Sequence, residues 1–420
     1  MNSYPSMRNV VYAKNGVCAS TQVLASNIGQ DVLKRGGNAI DAAIAMAASM
    51  PILEPTSNGL GGDCFAIVCY EGKLYGLNAS GPAPAMLSLE NLHKRGLTEM
   101  PKFGFEPVTV PGAIKGWSAL SKRFGRLPFE SLFTDILSLA RNGFPVGETT
   151  ASYWAKAATS YKNVLKEDYF KHWFDTFLFD GLSPVAGQVI TLLDHASTLE
   201  EIASTHGESF YSGALADQID AFSRKHNGFI RKADLENYQV EWVEPISVHY
   251  KGYDVFELPP NGQGIVALEA LGILSHLALD HLDGVLSIHH QIESLKLAFS
   301  DAFAYVSDPK SISLDLSNLL DPTYISSRAS SIGFEAIPPH PGTPNRGGTV
   351  YFATADKDGN MVSFIQSNYM GFGSGLVVPH TGIALHNRGH NFSMVPNHPN
   401  CVQPHKRPFH TIIPGFLSKD

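Results

Sequence analysis

"PNRGGTVYFATADKDGN", residues 344–360, is the stretch on which the reading of this chain turns. Gly347 and Gly348 run into Thr349, an alternating apolar stretch follows, and Asp358-Gly359-Asn360 makes a tight turn before "MVSFIQSNY" (361–369). The alternation and the turn predict a β-hairpin. Two glycines placed directly before such a strand admit two readings: a loop that enters a strand, or a site where the chain cuts itself. Threonine becomes an effective nucleophile chiefly when its own free α-amino group serves as base, so it must be the first residue of a chain. An internal threonine reaches that state only by cleavage of the preceding bond. Glycine permits the backbone angles and close approach that an N-to-O acyl shift needs. Upstream, the Pro/Gly segment "IPPHPGTPNRGG" (337–348) predicts an exposed, mobile stretch that would let new ends separate. Gly-Gly-Thr is also common in loops, so local chemistry leaves both readings open.

Outward from this hairpin, the first seventy residues are the most legible. Ser20 or Thr21 is placed to cap a helix through Val23, Leu24, Ile28, Val32 and Leu33, which recur at helical spacing. Gly36-Gly37 stops it, and Asn38 caps a second helix, "AIDAAIAMAASM" (39–50), apolar on nearly every face. Asp41 inside that helix must be hydrogen-bonded or paired if it is buried. A glycine loop, "NGLGGD" (58–63), leads into "CFAIVCYEGKLYGLNASG" (64–81), a hairpin turning at Glu71-Gly72. Residues 101–116 form a Pro/Gly loop into a helix starting near Ala113, and 129–242 is mostly helical. Strands return in "PISVHYKGYDVFELPPNGQG" (245–264), followed by helices over about 264–280 and 287–305. Besides the late hairpin, "TGIALHNR" (381–388) reads as a third strand. Helices first and the richest strand block last favour a layered α and β architecture over βαβ repeats.

Composition narrows the function classes. The 420 residues are 44% hydrophobic and 17% charged, with a formal charge of −8, which fits a soluble globular protein and disfavours nucleic acid or an anionic membrane as partner. No window reaches the ~18 apolar residues of a membrane span, and the N-terminus lacks the pattern of a signal peptide. Cys18, Cys64, Cys69 and Cys401 are few and scattered, so a reducing, cytoplasmic location is expected. "NGLGGD" lacks the Lys-Ser/Thr of a phosphate loop and precedes a strand, which argues against a nucleotide. His398, Cys401, His405 and His410 match no familiar zinc spacing and lie among prolines. His289 and Glu293, four apart on a helix, suit a structural contact better than a metal. No Gly-x-Ser-x-Gly elbow is present. No cofactor and no metal are expected.

With these pieces in order, the chain resembles the γ-glutamyltranspeptidase family. The matching stretches are "RGGNAIDAAIA" (35–45), "EPTSNGLGGDCFAIV" (54–68), "VTVPGAIKGW" (108–117), "PPNGQG" (259–264) and "IESLKLAFSDAFAYVSDP" (292–309). They continue through "GGTVYFATADKDGNMVS" (347–363), "FGSG" (372–375), "TGIALHNR" (381–388) and "KRPFHTIIP" (406–414). The resemblance implies an α+β fold, the four-layer αββα sandwich of N-terminal-nucleophile hydrolases. It implies self-cleavage between Gly348 and Thr349 into a large segment, 1–348, and a small one, 349–420, that stay associated as one composite domain. Thr349 would then attack an amide carbonyl, form an acyl-enzyme, and pass the acyl group to water, an amine or a peptide.

The resemblance also assigns a substrate pocket, with departures. The arginine that holds a γ-glutamyl α-carboxylate in the family falls at Ser80, and no arginine occurs in "LNASGPAP" (77–84). Ser367 matches the hydroxyl beside the nucleophile, and Tyr369 the polar position two residues on, with Asn368 next to it. Arg388 stands for a glutamine, Asn391 for an acidic residue that grips the substrate ammonium, and His410-Thr411 for a pair of serines. The expectation is acylase chemistry with a changed acyl pocket, as in the cephalosporin-acylase-like branch, with a zwitterionic γ-glutamyl compound such as glutathione second. The family's small segment continues past "KRPFHTIIPGFLSKD" to strands and a Gly-Gly oxyanion hole, so the chain reads as truncated at Asp420. The alternative is a non-catalytic or unprocessed relative that binds a small amino-acid-like ligand.

Overall fold

The computed structural model describes residues 10–281, 283–311, 315–336, 338 and 348–419, with backbone alone at 316 and 348–350. Gly347 and most of the Pro/Gly segment, 337 and 339–347, lie outside the described residues, as does the side chain of Thr349.

Eleven strands are described: β1 (Gly16–Ala19), β2 (Asp63–Tyr70), β3 (Lys73–Ala79), β4 (Phe144–Pro145), β5 (Val189–Ile190), β6 (Glu241–Val243), β7 (Ile246–Tyr250), β8 (Tyr253–Glu257), β9 (Gly348–Asp356), β10 (Met361–Tyr369) and β11 (Phe416–Ser418). Six form one antiparallel sheet in the order β1-β9-β10-β2-β3-β6. A second antiparallel sheet has the order β11-β8-β7, and β4 pairs with β5 in a short ribbon. The two larger sheets meet through Phe65, Ile67 and Ile365 on one side and Phe256, Leu258 and Phe416 on the other.

Helices complete the four layers. The Ala39–Leu53 helix, buried along its whole length, and the Ala113–Phe124 helix cover the outer face of the six-stranded sheet. Six alanines among its fifteen residues let the Ala39–Leu53 backbone approach the sheet closely. The Gly264–Ser275 helix covers the three-stranded sheet, and the Val285–Tyr305 and Pro322–Ser330 helices pack outside it. The expected αββα architecture is therefore present.

Local capping is as the sequence foretells for the second helix. Asn38 and Asp41 form a reciprocal capping box, and Asp41 also accepts from the backbone N–H groups of Arg126 and Leu127. The first helix differs from expectation. It runs Val23–Lys34 after an uncapped Gln22, because the Ser20 hydroxyl is turned to the Gln22 carbonyl and to Ser26. His289 contacts the Gly333 carbonyl at 2.8 Å and Glu293 pairs with Lys296 at 2.7 Å, both structural roles.

One element is corrected. Residues 381–388 form no strand of either sheet. Leu385 bridges Gly61 in parallel, Ala384 bridges Val377, and a 3-10 turn follows at Arg388–Asn391. The alternation in "TGIALHNR" records burial on both sides of a strap laid against the glycine loop.

Candidate active site

The hairpin that opened the sequence reading sits in the middle of the large sheet. β9 lies between β1 and β10, and its far end is tied to the Ala39–Leu53 helix: Asp356 accepts the Ala39 N–H and the Thr354 hydroxyl donates to the Ala39 carbonyl. Between β9 and β10 the register is regular from Met361 opposite Ala355 to Gln366 opposite Val350, then jumps to Tyr369 opposite Gly348. Two residues, Ser367 and Asn368, thus oppose the single Thr349. This is a β-bulge, a device that interrupts the ladder and re-aims side chains beside it.

The bulge is held by unusual contacts. Tyr369 takes a positive φ of 77°, an uncommon conformation for a bulky residue, and its N–H donates to the Ser367 hydroxyl at 2.7 Å. Asn368 is fully buried, and neither atom of its amide has a partner among the described residues. The glycine loop makes room for it: a Cβ on Gly59 would lie 2.6 Å from the Asn368 amide nitrogen, and one on Gly62 2.8 Å from the Ser367 carbonyl. The loop earlier weighed as a phosphate cradle is instead a packing surface for the bulge.

Next to the bulge is a buried cluster of charge. The Arg388 guanidinium lies 4.3 Å from the Tyr369 ring centroid, and its Nη1 donates to the Thr411 hydroxyl at 2.8 Å. The Tyr369 hydroxyl donates to Asn391 Oδ1 at 2.5 Å, and Asn391 Nδ2 donates to the Phe409 carbonyl at 3.0 Å. Asp63, the first residue of β2, is fully buried. Its Oδ1 accepts from the Gly81 and Gly112 N–H groups at 3.3 and 3.1 Å, and its Oδ2 lies 3.2 Å from His410 Nε2 and 3.7 Å from His386 Nδ1.

Burial sets the protonation of this cluster. Loss of water pushes the Asp63 carboxyl up to about 7, against the opposing pull of Arg388 and the two backbone N–H groups. It pushes His386 down to about 3 and His410 well below the usual range, with the Arg388 charge acting in the same direction. Arg388 itself is pushed down to about 10 by burial, while Asp63 and Tyr369 oppose the fall. Near neutral pH the imidazoles are therefore uncharged and the guanidinium is charged.

Of the residues expected at the site, Ser367, Asn368, Tyr369, Arg388, Asn391, His410 and Thr411 are brought together around the end of β10. Ser80, directly after β3, bonds to other partners. Its hydroxyl donates to Asn78 Oδ1 at 2.7 Å and accepts from Asn261 Nδ2 at 3.3 Å, which ties the 77–84 stretch to "PPNGQG". Asn261 in turn accepts the His410 N–H through its carbonyl at 3.0 Å. Ser80 thus supports the backbone that carries His410.

Sequence reading missed Asp63 and His386 as members of this site. The available signal was an acidic residue opening a strand that is otherwise apolar, directly after two glycines. A carboxylate so placed must be buried and must find partners.

A family model described as gamma-glutamyltranspeptidase matches residues 25–420. The chain is 34% identical to the glutathione hydrolase-like YwrD proenzyme of Bacillus subtilis, over 98% of this chain and 78% of the relative. It is 34% identical to the oxamate amidohydrolase proenzyme of Klebsiella pneumoniae, over 96% of this chain and 76% of that one. Among solved structures, cephalosporin acylase from Bacillus halodurans superposes with a TM-score of 0.96 at 53% identity, covering 100% of this chain and 78% of the other.

Proposed function

The chain belongs to the gamma-glutamyltranspeptidase family, and on that premise we propose that it becomes active by cutting its own Gly348–Thr349 bond and then uses Thr349 as nucleophile and base. In the first event the Thr349 hydroxyl adds to the Gly348 carbonyl, and the C–N bond breaks to leave an ester and a free α-amine. Water then hydrolyses the ester, giving a Gly348 carboxylate and an N-terminal Thr349. In turnover the Thr349 hydroxyl, its proton taken by the α-amine, attacks a substrate amide. The ammonium returns that proton to the departing amine, and water or an acceptor amine releases the acyl group from the ester.

The observation that carries this reading is the bulge that sets Ser367 and Asn368 opposite Thr349. It breaks the ladder at the residue that must react, and it puts the Ser367 hydroxyl on the neighbouring strand. We assign Ser367 to support of the nucleophile, and Arg388, Asn391, His410, Thr411, Tyr369 and Asn368 to the acyl pocket, with Ser80 supporting the backbone that carries His410. The two segments, 1–348 and 349–420, are taken to stay together after cleavage, because β9 is flanked by β1 and β10 and remains paired on both edges. The substrates are γ-glutamyl or related acyl amides. Names borne by similar proteins, glutathione hydrolase, oxamate amidohydrolase and cephalosporin acylase, all fit acyl transfer at an amide. The four cysteines, none of them in a disulfide, support placing the protein in the cytoplasm.

Intact mass and N-terminal sequencing test the reading directly. Two chains are expected, the smaller beginning with Thr349, and Thr349→Ala should remain one chain and turn over no amide. Wild-type hydrolysis by Thr349→Ala would remove Thr349 from its role.

A further inference from the structure

A cavity of about 420 Å³ lies where the Lys171–Phe177 and Ala214–Lys225 helices meet residues 378–380, and it shares no residue with the candidate active site. Its volume suits a small organic ligand. The buried Phe222 and Val378 form its floor together with Pro379, and three bases, His172, Lys225 and His380, stand around it. No residue that lines it is acidic. Asp175, one helical turn beyond His172, lies 3.9 Å from its Nδ1 and is mostly exposed. The bases are close enough to feel one another. Burial first, then the charges of Lys171, His380 and Lys225, hold the His172 imidazole below its ordinary range, with Asp175 opposing. In a chain of formal charge −8, an apolar hollow ringed by bases is a place for an anion with an apolar body.

One wall of the cavity belongs to the chain that leads from the bulge into the strap. Val378, Pro379 and His380 are the tip of a turn whose two limbs are bonded to each other. The Ser374 N–H donates to the Leu385 carbonyl at 2.9 Å, the Leu385 N–H to the Leu376 carbonyl at 3.0 Å, and the Val378 N–H to the Ile383 carbonyl at 3.0 Å. The Thr381 hydroxyl closes the tip on the Val378 carbonyl at 2.9 Å. His380 takes a φ of 60°, a left-handed conformation uncommon outside glycine. From this tip the chain runs directly to His386 and Arg388. The other wall is helical: Phe222 meets His172 edge to face, with ring centroids 5.8 Å apart. A ligand that touches both walls ties the tip of the turn to two helices.

We propose that this cavity is a second ligand site, for a small aromatic carboxylate, and that its occupation stiffens the turn leading into the strap. The carboxylate docks among Lys225, His172 and His380, and the ring lies on Phe222, Val378 and Pro379. The site needs neither chain cleavage nor turnover, so its fate is separate from that of the amidohydrolase reading.

Calorimetry of the whole protein with phenylacetate, phenylacetamide and inorganic phosphate tests the site, and amide hydrogen exchange with and without phenylacetate tests its link to the strap. Phenylacetate is expected to bind with a Kd of about 0.1–1 mM. Phenylacetamide, which lacks the charge, and phosphate, which lacks the ring, should each bind at least about 10-fold more weakly. Lys225→Ala should weaken phenylacetate about 10-fold. His380→Gly, which accepts the left-handed backbone and removes one base, should weaken it about 3- to 10-fold. Ala221→Trp fills the cavity from an exposed position of its wall, leaves every base in place, and should abolish binding. Saturating phenylacetate should slow exchange of the Val378 and Leu385 amides about 3- to 10-fold in the wild type and leave them unchanged in Ala221→Trp. Absence of phenylacetate binding, binding no tighter than that of phenylacetamide or phosphate, or binding unchanged in Lys225→Ala and Ala221→Trp overturns the site. Binding that leaves exchange at Val378 and Leu385 as it was overturns the link to the strap.

Discussion

The Tyr369 hydroxyl donates to Asn391 Oδ1 at 2.5 Å, so both ends of this amide are engaged inside the protein and it brings no charge to a substrate cation. Asn391→Asp would restore a carboxylate at that point. It would still accept from Tyr369, but it would lose the donor to the Phe409 carbonyl and set two acceptors against each other. The ratio of γ-glutamyl to uncharged butyryl p-nitroanilide turnover is expected to rise about tenfold, and stability to fall by about 1–3 kcal/mol through the unsatisfied carbonyl. Parallel kcat/KM measurements and urea melts read both effects. A ratio that stays put would show that position 391 does not set the response to an ammonium.

Asp63 should make stability depend on pH. Burial raises its carboxyl from the ordinary 3.8 to about 7, so it gains its proton as pH falls through neutrality. The groups facing it are His386 and His410, held neutral by burial, and the charges of Arg388 and Arg407, which oppose the rise. With its folded value above the unfolded one, the group's contribution is fully present below about pH 3.8 and is lost progressively as pH rises through 7. Asp63→Asn does not titrate, so the stability difference in favour of the variant should widen with pH over that range, by up to about 1.4 kcal/mol for each pH unit. Urea denaturation from pH 4 to 8 measures it, and parallel curves for the two proteins would move the raised value away from Asp63.

A second buried carboxyl controls stability. Glu269 is fully buried between helices, and burial first, then a hydrogen bond to Asp301, raises it to about 10. Asp301 accepts from the Tyr324 hydroxyl at 2.8 Å and pairs with Arg328 Nε at 2.9 Å, so protonated Glu269 completes a network that anchors the Pro322–Ser330 helix. With its folded value above the unfolded one, the group's contribution is fully present below about pH 4.5 and is lost progressively as pH rises towards 10. Glu269→Gln lacks that proton. The stability difference in favour of the variant should therefore widen with pH, by up to about 1.4 kcal/mol for each pH unit. Urea denaturation from pH 5 to 9 measures it, and parallel curves for the two proteins would contradict the assignment.

What the sequence made legible was local or linear. The Asn38 cap, the turn at Glu71-Gly72 and the 349–369 hairpin depend on neighbours a few residues apart, and each is found where its pattern lies. The strap at 381–388 was misread because its partner is Gly61, more than three hundred residues away, and a residue buried on two sides mimics alternation. Asp63 escaped for the same reason. Its meaning depends on His410, His386 and Arg388, which the chain delivers only after the sheet has closed.

Gly61 is where that long-range closure is most exposed to test. Its N–H donates to the Ala384 carbonyl at 3.1 Å and its carbonyl accepts from the His386 N–H at 3.0 Å, so it fastens the strap that carries His386 and Arg388. A Cβ at Gly61 would lie 2.5 Å from the Ala384 carbonyl oxygen and 3.0 Å from the Leu385 Cα, both backbone atoms with little freedom to yield. Gly61→Ala is expected to cost about 2–4 kcal/mol, to slow the appearance of the Thr349 chain in mass spectra, and to lower the γ-glutamyl/butyryl turnover ratio. Gly72→Ala is the matched control: that glycine sits at φ +78° in a turn with open space around it. There the penalty should be about 1 kcal/mol of backbone strain, with processing and selectivity intact. If both variants process and discriminate alike, the strap does not position Arg388.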